Sequence, residues 1–168
     1  MRWNELADEA CPVARGLSVI GDRWTMLVLR DCFLGVRKFE SFQQRLGVTR
    51  HVLSDRLRKL ESAGVLKRTP YQQRPLRLEY RLTEKGKALH PVLITLMEWA
   101  NANVPAKSEP TIRLLSRSTG APIRPMLIDA ETGEELTHRA VSAVAGRGGD
   151  GSHPPDDDDA DPRDLELQ

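Results

Sequence analysis

The stretch "TRHVLSDRLRKL", Thr49 to Leu60, decides the fold. At about 100° per residue, Val52, Leu53, Leu57 and Leu60 gather on one face of a helix, while Arg50, His51, Ser54 and Arg58 fall on another. The Thr49 hydroxyl suits an N-cap, and Gly64 in "ESAGVL" suits a left-handed stop. A charged helix face is commonly only solvated, so the surroundings of this helix have to show whether its basic side meets a partner.

Immediately upstream, "KFESFQQRLGV" sets Phe39, Phe42 and Leu46 at helical spacing until Gly47 interrupts it. Two helices joined by a tight glycine turn make a helix-turn-helix, whose second helix enters the major groove of DNA. Thr49, Arg50, His51, Ser54 and Arg58 are therefore the candidate DNA-reading residues. Downstream, "VLKRTPY" reads as a strand, and "LRLEYRL" alternates Leu76, Leu78, Tyr80 and Leu82 with Arg77, Glu79 and Arg81. Together they predict a hairpin whose tip, "QQRP", carries Arg74 beside Pro75. That stiffened, basic tip suits an arm laid along a phosphate backbone, although a plain solvent-exposed loop has the same composition.

Farther out, "RWTMLVLRDCFLG" predicts an apolar helix from about Trp24 to Leu34, with Trp24, Leu27, Val28, Phe33 and Leu34 assigned to the core. On the other side, "TEKGKALHPVLITLMEWANANV" opens with Thr83 as a cap, and Pro91 should bend the helix or delay its regular start. Its stripe, including Leu93, Leu96 and Trp99, is too wide for a small domain to cover and marks a face for pairing with a second copy.

Net charge is +1 over 168 residues, but the balance is uneven. Met1 to Lys107 hold 19 Lys and Arg against 11 Asp and Glu, whereas Ser108 to Gln168 hold 6 against 13. A basic front and an acidic back fit a polyanionic partner for the front alone. Beyond Lys107, two Thr-Gly turns, at Thr119 to Gly120 and Thr132 to Gly133, flank Met126, Leu127 and Ile128 and predict a small β hairpin. From about Ala145 the chain is Gly, Pro and Asp with almost nothing to bury, which predicts a disordered acidic tail.

Several functions are disfavoured. There is no phosphate-cradling glycine loop, no HExxH, and the four histidines, His51, His90, His138 and His153, are scattered, so neither an enzyme nor a metal or cofactor site is expected. No apolar run approaches the roughly 20 residues that span a bilayer, which with the acidic start "MRWNELADEA" predicts a cytoplasmic protein without a membrane partner. Cys11 and Cys32 lie far apart outside any CxxC pair and are expected as reduced thiols. Cys11, beside Pro12 at a helix start and near Arg15, is in a setting that favours thiolate and makes it a candidate sensor, with plain packing as the alternative.

From about Cys11 to Val104 the chain resembles the HxlR-type family of winged helix-turn-helix regulators. The resemblance rests on "CPV", the run from "IGDRWTMLVLRD" to "LSDRLRKLESAGVLKR", then "RLEYRLTEKGKAL" and "LMEWA", in that order. It implies a homodimer paired through terminal helices, binding operator DNA and usually repressing nearby genes. It also matches Cys11 to the N-terminal thiol that some relatives use to sense oxidants. Some relatives carry cysteine pairs like a zinc ribbon near the end, but this chain has no cysteine after Cys32.

The expected architecture is mainly α with a small β hairpin wing. Residues 1–107 form a winged helix-turn-helix domain for DNA binding and dimerisation, 108–144 a small accessory β element and 145–168 the disordered tail. The expected function is a transcriptional regulator, a repressor that binds palindromic double-stranded DNA as a homodimer and answers a small-molecule or oxidant effector. The alternative is a winged-helix protein-interaction module that does not bind DNA.

Overall fold

The computed structural model describes residues 5–108, 112–142 and 144. The acidic tail expected at 145–168 lies outside the described residues. After a short 3-10 turn at Leu6–Asp8 come α1 (Pro12–Ile20), α2 (Arg23–Phe33), α3 (Phe39–Leu46) and α4 (Arg50–Ser62). The antiparallel strands β1 (Leu66–Gln73) and β2 (Leu76–Leu82) follow, then α5 (Glu84–Lys87) and α6 (His90–Asn103). This is a winged helix-turn-helix, mainly α with one small β hairpin.

Local chemistry marks each boundary. Asp22 caps α2 by accepting the Trp24 and Thr25 amides at 2.9 and 3.3 Å, and Thr49 caps α4 by accepting the Val52 amide at 3.3 Å. Gly47 and Gly64 stand at φ 64° and 70°, the left-handed region that glycine enters without a Cβ clash. Pro91 lies in the first turn of α6, where its missing amide costs nothing, so the helix expected from Thr83 is divided into the single turn α5 and the longer α6.

One core forms where α2, α3 and α4 meet. Val28, Leu29, Phe42, Leu53, Leu57, Leu60, Val65 and Leu66 are all but fully buried, and Trp24 and Phe33 pack against them. Leu34 departs from expectation: it follows the last residue of α2 and is 44% exposed, because the helix ends before it can turn inward. Leu27 is only partly buried and lines a cavity rather than the core.

The wing is anchored at its base and free at its tip. Leu66 pairs with Leu82 and Arg68 with Tyr80, and the register shifts between Pro70 and Gln72, where proline offers no amide to the ladder. Tyr80 and Leu82 pack on the core, whereas Leu76 and Leu78 are exposed farther along the hairpin. The Tyr80 amide donates to the Arg37 carbonyl at 2.8 Å, tying the wing to the segment before α3.

The described residues divide into two compact units between Pro125 and Met126. In the first, Ser116–Gly120 closes a tight turn under the isolated bridge Leu115 to Pro122. The second contains a turn of the same hydrogen-bond pattern, Asp129–Gly133, under the bridge Ile128 to Glu135. Each Thr-Gly turn thus closes its own small hairpin, where the sequence suggested one hairpin between them. Ser116 Oγ accepts the Thr119 amide at 3.3 Å, and Asp129 Oδ1 accepts the Glu131 and Thr132 amides at 2.7 and 3.3 Å, so side-chain oxygens hold both turns.

Gly86 is buried, and a Cβ there would run into the Val65 carbonyl oxygen and the Leu82 side chain. Gly86→Ala must therefore push α5 away from the base of the wing. We expect a loss of about 1 to 3 kcal/mol, read as a lower midpoint in denaturant unfolding. Gly16→Ala, with open space around its Cβ, serves as the control.

Candidate nucleic-acid interface

The position of α4 follows from its two faces. Leu53, Leu57 and Leu60 enter the core, with Val52 partly buried beside them. Arg56 forms an ion pair with Asp22 at 2.9 Å, so the carboxylate that caps α2 also holds the middle of α4. Arg56 Nη1 in turn donates to Asp55 at 2.9 Å. What remains outward is the basic side: Arg50, His51 and Arg58 are exposed, and Ser54 is half-buried between them. The sequence-predicted reading residues thus share one outward stripe.

Aromatic rings set two flanking cations. The Arg50 guanidinium lies over the Phe39 ring at 4.8 Å, and the Lys38 ammonium lies over the Tyr71 ring at 4.7 Å. Arg50 is thereby held at the N-terminal end of α4. Lys38 escaped sequence reasoning because its partner Tyr71 is far off in the chain. Arg74 is exposed at the hairpin tip, where its carbonyl accepts from the Gln72 amide group at 3.0 Å. Arg68 Nε donates to Glu61 Oε1 at 2.7 Å, bracing the wing against the end of α4.

Behind this surface stands a buried carboxylate. Asp31 of α2 is fully buried and accepts from Arg30 at 2.8 and 3.0 Å and from Arg45 of α3 at 3.1 Å. A buried charge is tolerable only when paired and hydrogen-bonded, and this pairing locks α3 onto α2.

The predicted pairing stripe splits in two. Leu93 is 8% exposed and belongs to the core, so it is withdrawn from the pairing face. It lies on the same side of α6 as Leu89, Met97 and Ala100, the side turned inward. Leu96 and Trp99 are 45% and 59% exposed and form an outer stripe with Val92. Val13 and Leu17 of α1 are exposed too, and Leu17, Ile20, Val92 and Leu96 line one open groove. Residue spacing named no α1 residue for this face, although the family resemblance implies pairing through terminal helices.

Cys11 is exposed and occupies the N-cap position of α1. The nearby Arg15 directs its Nη1 to the carbonyls of Glu9 and Ala10, at 3.0 and 2.5 Å. Cys32 differs: burial, reinforced by the adjacent Asp31, pushes its thiol up to about 12. Among the described residues no cluster of His, Cys, Asp and Glu is arranged to hold a metal ion, and no helix is long and apolar enough to cross a membrane.

Residues 19–108, more than half of the chain, match the HxlR-like helix-turn-helix family model. The chain belongs to the HxlR-like helix-turn-helix family. An HTH-type transcriptional regulator of Mycobacterium tuberculosis (strain ATCC 25618 / H37Rv) is 42% identical over 136 residues, 81% of this chain and 86% of that relative. The crystal structure of PA1607, described as a candidate transcription factor, superposes with a TM-score of 0.75 at 37% identity, covering 83% of this chain and 98% of that one. The redox regulator HypR in its oxidized form superposes at 0.53 with 34% identity, over 57% of this chain and all of that one. This member of the HxlR-like family is accordingly a helix-turn-helix transcriptional regulator, and its relatives are regulators rather than enzymes.

The two thiols should separate chemically. Iodoacetamide at pH 8 is expected to alkylate the folded protein once, at Cys11, because only a thiolate reacts and Cys32 stays protonated well above that pH. Mass spectrometry of peptides from native and urea-unfolded protein reads this, and labelling of Cys32 at a comparable rate in the native protein would contradict it.

Proposed function

We propose that this protein is a sequence-specific repressor that binds a palindromic operator as a homodimer. The observation that carries this reading is the two-faced α4, with its leucines in the core and Arg50, His51, Ser54 and Arg58 outward. In this reading Thr49 and those four residues meet base edges and phosphates in the major groove, and Arg74 follows the neighbouring backbone. Leu96 and Trp99, joined by Val92 and by Leu17 of α1, pair the two copies. Recognition helices about 34 Å apart then match successive major grooves on one side of the duplex. Repression follows where the operator overlaps a promoter, and a reporter driven by that promoter should rise when the regulator is absent. Within this scheme residues 1–107 carry DNA binding and dimerisation, 108–144 are an accessory element and 145–168 an acidic tail, in a cytoplasmic protein.

A thiol response at Cys11 is a second element of the proposal. It is supported by the exposure of Cys11 at the head of α1 and by the similarity to HypR, which is itself a redox regulator. Since α1 also contributes to the proposed pairing face, an oxidant or electrophile at Cys11 would alter the geometry of the dimer. Diamide should then release wild-type protein from DNA while Cys11→Ser stays bound, and equal behaviour of the two would remove the sensor.

Binding curves on duplexes selected from a random library test the DNA reading. Arg50→Ala or Arg58→Ala should cost about 1 to 3 kcal/mol and relax preference at one base position, whereas Arg74→Ala should weaken all sequences alike. Affinity should fall steeply with salt, and affinity independent of salt would contradict binding through this surface. For the dimer, sedimentation of Leu96→Asp should show monomers where the unsubstituted protein shows dimers. Leu96 is exposed, so the fold itself should survive the change.

A further inference from the structure

We propose that Lys38 contacts a phosphate of the DNA backbone, and that Tyr71 of the wing is the positioning residue that holds its ammonium ready for it. This extends the DNA reading of α4 and the wing tip, on which it rests, to the seam between them. Lys38 stands at the N-cap of α3, and its ammonium lies over the Tyr71 ring at 4.7 Å. Phe39, the next residue, carries the Arg50 guanidinium over its own ring at 4.8 Å. The head of α3 therefore touches the head of α4 through one residue and the wing through the other, which sets Lys38 at the junction of the two elements.

The wing is shaped for this contact. The register of β1 on β2 shifts between Pro70 and Gln72 and skips Tyr71, and a bulge of that kind re-aims the side chain it carries. Tyr71 is exposed, so neither burial in the core nor pairing across the hairpin accounts for a large ring there, whereas the contact with Lys38 does. Lys38 is exposed too, and among the described residues no carboxylate pairs with it and no acceptor takes its three N–H donors. Other cations of the wing are committed, Arg68 to Glu61 and Arg81 to Glu79. An ammonium on a ring face is attracted by the π-electrons and keeps donors for a second partner. Lysine meets phosphate as a point charge, and one already held over a ring gives up less rotamer freedom on binding than a free one. A single uncommitted positive charge between the head of α4 and the wing is complementary to one backbone phosphodiester.

Fluorescence anisotropy of a random-sequence duplex titrated with the full chain at several salt concentrations tests this. Lys38→Met should make the fall of log affinity with log salt shallower by about one, the signature of one lost phosphate contact. Tyr71→Leu should weaken binding about two- to fivefold with the slope unchanged, and Tyr71→Phe, which keeps the ring, should bind as the unsubstituted protein does. In the Lys38→Met background Tyr71→Leu should have no further effect. Both side chains are exposed, so the fold should survive these changes. A second reading needs no variant: in the free protein the ε-methylene protons of Lys38 should resonate upfield of an ordinary lysine through the ring current of Tyr71. Absence of that shift, an unchanged salt slope in Lys38→Met, or an equal loss from Tyr71→Leu with and without Lys38 would each overturn the proposal. Arg74→Ala, run alongside, separates this contact from the DNA reading beneath it. A loss for Arg74→Ala with none for Lys38→Met overturns the contact alone, whereas salt-independent binding by the unsubstituted protein removes both.

Discussion

Asp22 links the two helices on which the arrangement depends. Its carboxylate satisfies the first amides of α2 and pairs with Arg56 from the middle of α4, so a single group both starts one helix and sets the other against it. Leu53, Leu57 and Leu60 supply most of the adhesion there, since truncating a buried leucine typically costs about 2 to 5 kcal/mol. Hydrophobic contact is non-directional, however, and would tolerate small rotations of α4 about its axis. The ion pair at Asp22 is a localised contact between one point on each helix, and it opposes them. A rotation by one residue would turn the whole stripe of Arg50, Ser54 and Arg58 about 100° from its outward position.

The rest of the domain likewise sets localised polar contacts around an apolar centre. Asp31 fixes α3 to α2 through Arg45, and Arg68 braces the wing on Glu61. Thr83 closes the far end: its hydroxyl donates to the Gly64 carbonyl at 2.6 Å, while the Thr83 amide donates to the Val65 carbonyl at 3.0 Å. The chain leaving β2 is thus tied to the chain leaving α4, and Gly86 lets α5 approach that junction without a clash. The base of the wing, the turn and α4 are consequently tied to one another, and contacts fixed in advance reduce the conformational entropy lost on docking.

Periodic features were legible in the sequence. The leucine spacing of α4, the caps Thr49 and Thr83 and the stops at Gly47 and Gly64 are local signals, and each appears where the spacing placed it, whereas the alternation of β2 holds only at Tyr80 and Leu82, since Leu76 and Leu78 are exposed and Glu79 is buried. Boundaries between inner and outer stripes were not legible, because they depend on which element lies alongside. Leu93 and Leu96 are equally apolar, yet Leu93 is buried in the core and Leu96 is exposed. Leu34 carries the same lesson at a helix end. The charged contacts of Asp22, Asp31 and Lys38 were invisible for a related reason: their partners lie one or more elements away in the chain. Sequence similarity filled a different gap, supplying the regulator class that no spacing could have given.

The central claim is that the outward stripe of α4 and the tip of the wing meet DNA. Amide chemical shifts of isotope-labelled full-length protein, followed while a random-sequence duplex is added at low salt, test it most directly. The account predicts the largest changes at residues 49–58 and 72–77, with reversal as salt is raised. Changes confined to α1 and α6, with α4 and the wing tip undisturbed at saturating duplex, would contradict it.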